Sequence, residues 1–174
     1  MCIRDRLETD VLVIGGGLAG CLAAIKAREK GVKVILTDKA YAGKSGGGAF
    51  CGGHIAVFNP EWGHDYEAWK EYIVGIGEYL NDRDWVELIV KDSYRIYKDL
   101  VSWGIPFMEK EEKVESLHYL GSKKYTNQAI MVRREFMPPI RNKAEESGAQ
   151  IIDRIMITDL IRKDGRVVGA VGFD

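Results

Sequence analysis

Apolar and polar positions fall in blocks along this chain, and the block lengths and periods predict its elements. Val11-Leu12-Val13-Ile14 is a continuous run of β-forming residues between Asp10 and a glycine triplet. Such a run predicts a strand buried on both faces of a parallel sheet. Leu18 to Lys30 reads as a helix, and its small residues Ala19, Gly20, Ala23, Ala24 and Ala27 allow close approach to that sheet. Lys26, Arg28 and Lys30 sit at the negative end of the helix dipole, with Gly31 just past the last turn. Val32-Lys33-Val34-Ile35-Leu36-Thr37 predicts a second strand, ending at Asp38. The chain up to Asp38 is therefore expected to form a β-α-β unit with a right-handed crossover.

Tyr41 to Ile55 is glycine-rich, and two helical patterns come after it. Tyr66 to Glu78 places Trp69, Tyr72, Ile73 and Ile76 on one face; Asp84 to Trp103 is longer and stops at Gly104, where Pro106 prevents continuation. Residues 107–130 show no period and are read as irregular. A helix over Pro139–Ser147 ends at Gly148. Strand patterns at Gln150–Ile161 and Arg166–Phe173 flank Asp164-Gly165, a strong hairpin signal. No internal repeat and no linker interrupts these patterns.

Composition narrows the class. A chain of 174 residues with 46% apolar and 29% charged positions can bury a core, which excludes wholesale disorder. No apolar run reaches the roughly 18 residues of a transmembrane helix. A formal charge of −1 gives no support to nucleic-acid or anionic-membrane binding. Cys2, Cys21 and Cys51 form no CxxC and no metal spacing, so no metal site is expected and a reducing compartment is. Residues 1–8 belong to no periodic element and are expected to be a disordered leader, with the domain over 9–174. Glycine is the unusual component: 11 of the 20 lie between Gly15 and Gly53, and a local excess calls for a local cause.

Gly15-Gly16-Gly17-Leu18-Ala19-Gly20 matches G-x-G-x-x-G after a strand and at the start of a helix. Gly15 permits the tight turn, Gly17 lets a pyrophosphate reach the backbone, and Gly20 permits close helix–strand packing. The N–H groups of the first helical turn then face the phosphates along the positive end of the dipole. Asp38, 18 residues beyond Gly20, can accept hydrogen bonds from both ribose hydroxyls of an adenosine and disfavours a 2′-phosphate. This fingerprint does not separate NAD from FAD, because both contain ADP. The remainder of the chain does. A nicotinamide domain continues with further β-α-β units, whereas this chain has a second glycine segment, helices and a hairpin.

Together these residues resemble the N-terminal part of the fumarate reductase/succinate dehydrogenase flavoprotein family, which includes L-aspartate oxidase and the adenylylsulfate reductase α subunit. The resemblance runs from Thr9 to Asp174. It rests on Val13 to Gly20, on Asp38-Lys39-Ala40, and on Lys44-Ser45-Gly46-Gly47-Gly48-Ala49 followed by Gly52-Gly53. Asn81-Asp82, Trp103 to Phe107 and Asp164 to Ala170 match as well. It implies an α/β, Rossmann-like FAD/NAD(P)-binding domain with a helical insertion and a β-hairpin or meander, C-terminally truncated. Lys44, Ser45, Gly46, Gly47, Gly48 and Ala49 would lie along the pyrophosphate, ribityl chain and isoalloxazine. Cys51, Gly52 and Gly53 would offer N–H groups near the reactive edge of the flavin. Glycines let a planar ring touch backbone, and amides near N5 and O4 stabilise anionic reduced flavin. Family members with covalent flavin carry a histidine where this chain has Gly46; His54 lies eight residues later, so non-covalent FAD is expected and His54 is read as a packed histidine. Register with the family places adenine contacts at Met156-Ile157-Thr158.

The activity implied is flavin-dependent two-electron or hydride transfer at N5 with a small carboxylate-type substrate. The partner implied is an electron-transfer protein subunit; the location implied is the cytoplasm, with membrane association only through a partner. The catalytic acid and base would lie beyond Asp174, so the 174 residues alone are expected to bind FAD weakly or not at all and to have no turnover. A non-catalytic module for the ADP moiety and an NAD-dependent dehydrogenase are the other readings. His64 and His118 read as surface or cap residues, Cys21 as core filler, and Cys51 as the cysteine nearest the flavin without a disulfide partner. The four tryptophans read as packing, Arg133-Arg134 as solvent-facing or paired with acids, and Glu109 to Lys113 as a solvated charge run.

Overall fold

The computed structural model describes residues 5–44, 46–51, 53–107, 109–110, 113–114, 128–130 and 135–174. In chain order the elements begin with β1 (Val11–Ile14), α1 (Leu18–Arg28), β2 (Val34–Asp38), α2 (Gly47–Phe50), β3 (His54–Ala56) and a 3-10 turn (Pro60–Trp62). Next come α3 (Tyr66–Ile76), α4 (Arg83–Ser102), β4 (Glu109–Lys110), β5 (Lys113–Val114) and β6 (Gln128–Ile130). The chain closes with α5 (Met137–Glu146), β7 (Gln150–Asp153), β8 (Met156–Lys163) and β9 (Arg166–Phe173). They form two compact units, residues 1–50 with 137–174, and residues 51–136.

In the first unit β1, β2 and β7 make a parallel sheet in the order β1-β2-β7. Register pairs Val11 with Val34 and Ile14 with Thr37 on one side of β2, and Ile35 with Gln150 and Asp38 with Asp153 on the other. The expectation of a strand buried on both faces was placed on β1 and belongs to β2. All five residues of β2 are buried, while Ile14 of β1 is 51% exposed. The reason is order in the sheet: β2 is flanked by strands on both sides, and β1 is an end strand among the described residues. Helix α1 contributes Cys21, Ala24 and Ile25 to the core, and α5 contributes Met137, Ile140 and Ala144.

The strand expected over Gln150–Ile161 is two strands. Arg154 has φ +62°, which turns the chain out of the parallel sheet. Two backbone bonds fix the turn, Arg154 N–H to the Ala40 carbonyl at 2.8 Å and Ile155 N–H to the Asp38 carbonyl at 2.9 Å. After it, β8 pairs antiparallel with β9. Their connection uses Asp164 at φ +52° and Gly165 at φ +76°, the left-handed pair that the twist of a tight hairpin requires.

The second unit is built on α3 and α4, which contact each other. Each begins with an aspartate cap. Asp65 Oδ1 accepts from Ala68 N–H at 2.8 Å, and Asp82 Oδ1 accepts from Asp84 and Trp85 N–H at 2.9 and 3.3 Å. Within residues 107–130, read as irregular, β4 pairs with β5 and β6 pairs with β3. Two side-chain readings are corrected. Trp85 is 63% exposed, so most of it lies outside the packing expected of it, and His64 is buried, which removes the surface half of the surface-or-cap reading. The His64 ring lies 5.3 Å from that of Trp69, and its Nδ1 accepts from Asn59 N–H at 3.1 Å. Burial pushes its pKa below the usual 6.5, against a hydrogen bond to the Val57 backbone that favours the charged form. His118, Arg133 and Arg134 lie outside the described residues.

Candidate dinucleotide-binding site

The chain leaves β1 at Gly15, whose φ of +102° is open to glycine and strained for other residues. Gly15 N–H donates to the Thr37 carbonyl at 2.7 Å, so the turn starts as a continuation of the β1–β2 ladder. Gly16 is buried, and a side chain there would collide with the methyl of Ala42. A side chain at Gly20 would overlap the Gly15 carbonyl oxygen, so α1 seats against the end of β1 only with glycine at this position. Gly17 is different. It is the N-cap of α1 with no side-chain cap, and a Cβ added to it would meet nothing within 4 Å. The first turn of α1, Leu18-Ala19-Gly20, therefore presents backbone N–H groups to an open face at the positive end of the helix dipole.

Asp38 ends β2 beside this turn and is 7% exposed. Its Oδ2 accepts from Gly16 N–H at 2.7 Å and its Oδ1 from Ala40 N–H at 2.8 Å. The carboxylate thus braces the fingerprint turn and the start of the Lys39-Ala40 loop. Below the turn, the Cys21 thiol points at the Gly16 carbonyl at 3.4 Å. Burial raises its pKa to about 11, so it stays a protonated donor.

The second glycine segment comes to the same place. Gly46 has φ +78°, Gly47 begins the short helix α2, and neither has an atom within 4 Å of an added Cβ. A Cβ on Gly48 would lie 3.6 Å from both the N and the Cβ of Leu18 and 3.3 Å from the Met137 sulfur. The two glycine segments therefore meet at the N-terminus of α1 through Gly48, with room for a Cβ at Gly17, Gly46 and Gly47. Lys44 and Ala49 flank it. Ser45 and Gly52 lie outside the described residues. Cys51 is exposed and Gly53 has φ +76°, both in the second unit. Ile157 sits on β8 opposite Gly172, two residues after Ile155, whose N–H is bound to the Asp38 carbonyl.

Three contributors were not singled out from sequence. Ala42 N–H donates to Asp153 Oδ1 at 2.8 Å, and Arg141 donates to the Ala42 carbonyl at 2.9 Å. Arg141 also pairs with Asp153, with Nη2 to Oδ2 at 2.9 Å. Burial pushes the Asp153 carboxyl up, but the Arg141 and Ala42 hydrogen bonds and the Arg141 charge outweigh it and hold it below the usual range. The one available signal was the aspartate closing each strand, since Asp38 and Asp153 are register partners.

A family model described as FAD binding domain matches residues 10–174. The chain belongs to this family. A fumarate reductase (CoM/CoB) subunit of Methanothermobacter marburgensis is 31% identical over 172 residues, covering 95% of this chain and 31% of the relative. The L-aspartate oxidase of Halobacterium salinarum is 26% identical over 173 residues, covering 97% and 33%. The solved structure of the Mycobacterium smegmatis Sdh1 complex in the apo form has a TM-score of 0.81 at 25% identity, covering 95% of this chain and 31% of that one. These are flavoproteins of the fumarate reductase/succinate dehydrogenase type, as the motifs implied. The chain spans about a third of the length of the curated relatives it matches.

An FAD binding domain must accept a pyrophosphate against backbone and a flavin beside a second backbone segment. The open cradle at Gly17, Gly46 and Gly47, and the absence of a side-chain cap on α1, fit both needs. FAD is the cofactor of this family, which resolves the choice that the fingerprint alone leaves between FAD and NAD. Among the described residues no cluster could hold a metal ion, and no helix is long and apolar enough to cross a membrane.

Proposed function

We propose that this chain is the FAD-binding part of a flavin-dependent oxidoreductase acting on a small carboxylate-type substrate. The observation that carries the reading is the meeting of the two glycine segments, with Gly48 against the Leu18 amide at the open N-terminus of α1. Gly17, Leu18, Ala19 and Gly20 would hold the pyrophosphate through backbone N–H groups and the helix dipole, while Gly15 and Gly16, whose own N–H groups are taken by Thr37 and Asp38, would shape the turn beneath it. Asp38, at the end of β2 beside the fingerprint turn, would accept from the ribose hydroxyls. Lys39 and Ala40 would line the adenosine end, and Ile157 the adenine. Lys44, Ser45, Gly46, Gly47, Gly48 and Ala49 would run along the ribityl chain and ring, with Cys51, Gly52 and Gly53 at the reactive edge.

Bound FAD would supply hydride or two-electron transfer at N5. The chain's own share is to bind, to orient and to keep backbone donors at the ring. Relatives named as an L-aspartate oxidase and part of a fumarate reductase support a dicarboxylate or amino-dicarboxylate as substrate. That the Mycobacterium smegmatis Sdh1 structure is of a complex supports a partner subunit, for which we propose an electron-transfer protein. We further propose that the flavin is held without a covalent bond, because Gly46 stands where covalent relatives carry a histidine and has no side chain to attach a flavin.

Purifying the intact protein and denaturing it in acid tests both statements. The expected result is about one FAD per chain, all released into solution. A protein that takes up no flavin would overturn the function; a fluorescent flavin band travelling with the denatured chain would overturn the non-covalent reading.

A further inference from the structure

We propose that Arg141 and Asp153 are positioning residues that grip both backbone polar groups of Ala42, holding the second glycine segment in register with the fingerprint turn. This rests on the FAD reading above. Among the described residues no strand pairs with the loop between β2 and α2, so its backbone groups need other partners. Ala42 is fully buried, and its N–H and carbonyl are taken by Asp153 Oδ1 and by Arg141 Nη1. These partners lie 111 and 99 residues away in sequence. The same guanidinium closes the ring by binding both oxygens of Asp153, at 3.1 and 2.9 Å.

What the grip positions is the fingerprint itself. The Ala42 methyl occupies the space that a Gly16 side chain would need, and Gly43 N–H donates to the Gly16 carbonyl at 2.7 Å. Gly43 at φ +77° packs over Arg141, where an added Cβ would sit 3.2 Å from Arg141 Cβ. The path from α5 and β7 therefore runs through one residue to the pyrophosphate turn, and Lys44, just beyond Gly43, opens the second segment. A planar fork is needed for this. It reaches the Ala42 carbonyl and both Asp153 oxygens from two nitrogens held in one plane, whereas an ammonium's three donors radiate from a single nitrogen with no fixed fork. Without the grip the loop samples other registers, and apparent affinity falls in proportion to the fraction still competent.

The test uses the intact protein, with FAD affinity by fluorescence quenching and hydrogen exchange at the Ala42 and Gly43 amides. The variants are Arg141→Lys, Arg141→Met, Asp153→Asn and Glu145→Gln. Glu145 touches the outer edge of the same guanidinium but not Ala42. The first three are expected to lose protection at both amides and to weaken FAD binding about tenfold or more, if a tenth of the loop remains competent. Glu145→Gln is expected to stay within about twofold on that scale. Arg141→Lys keeps the charge and is the variant most certain to fold. Full protection and unchanged affinity in it would overturn the proposal, as would a Glu145→Gln loss equal to that of Arg141→Met. The amide readout needs no ligand: a wild type that took up no FAD would sink the function while the protection pattern still decided the grip.

Discussion

Gly20 and His64 each show a side chain, or its absence, setting a measurable property. Gly20 is required by the protein's own packing, because a methyl there would overlap the Gly15 carbonyl oxygen. Gly20→Ala should destabilise the apo protein by about 1–3 kcal/mol, the usual range for overpacking, and urea titration without FAD checks it. An unchanged midpoint would contradict the packing. His64 has a folded pKa lowered chiefly by burial, so below its ordinary value of 6.5 the unfolded chain binds more protons than the folded one. Stability therefore falls as pH drops through that range. Melting temperatures at about pH 7.5 and about pH 5.5 should show the loss. His64→Gln should flatten the slope, since its amide oxygen can still accept from Asn59 N–H.

At the scale of elements, the helices were legible because their stop signals are local. Gly31, Gly104 and Gly148 all have positive φ just past α1, α4 and α5. The cap of α4 is equally local: Asp82→Ala should cost about 1 kcal/mol, measured by denaturant unfolding, and a change near zero would mean the Asp82 bonds to Asp84 and Trp85 contribute nothing. What sequence could not deliver was anything decided by distant pairing. Gln150–Ile161 is one continuous strand by pattern, yet Arg154 breaks it because Ala40 and Asp38 supply carbonyls there. The pairing of β3 with β6 joins segments too short and too far apart for a period to show. The candidate site divides in the same way. Its glycines are a contiguous motif, whereas Arg141 and Asp153 become part of it only when α5 and β7 pack beside the Ala42 loop.

For the molecule as a whole, the glycine excess has two causes in the fold: Gly16 and Gly20 are required by internal packing, whereas Gly17, Gly46 and Gly47 have room for a side chain and are the positions proposed to face the cofactor. The helical unit, residues 51–136, interrupts the sheet-bearing unit between α2 and α5, so the fingerprint and the Lys44 to Ala49 part of the second glycine segment belong to a unit completed by the chain's last quarter. The β8–β9 hairpin leaves Met156, Val168, Val171 and Phe173 half exposed or more, an apolar surface that should bind a hydrophobic dye in the 174-residue chain. The central claim is that FAD lies against the open backbone at Gly17. Gly17 has φ −74°, ordinary for any residue, and room for a side chain, so Gly17→Val should leave the fold intact. The direct measurement is an FAD titration of the intact protein beside this variant, with melting of both apo forms. The expected result is one FAD per wild-type chain, and in Gly17→Val a melting temperature within a few degrees of wild type with FAD binding weakened about 100-fold or more, roughly 2.7 kcal/mol. Equal FAD affinity in the two proteins would contradict it.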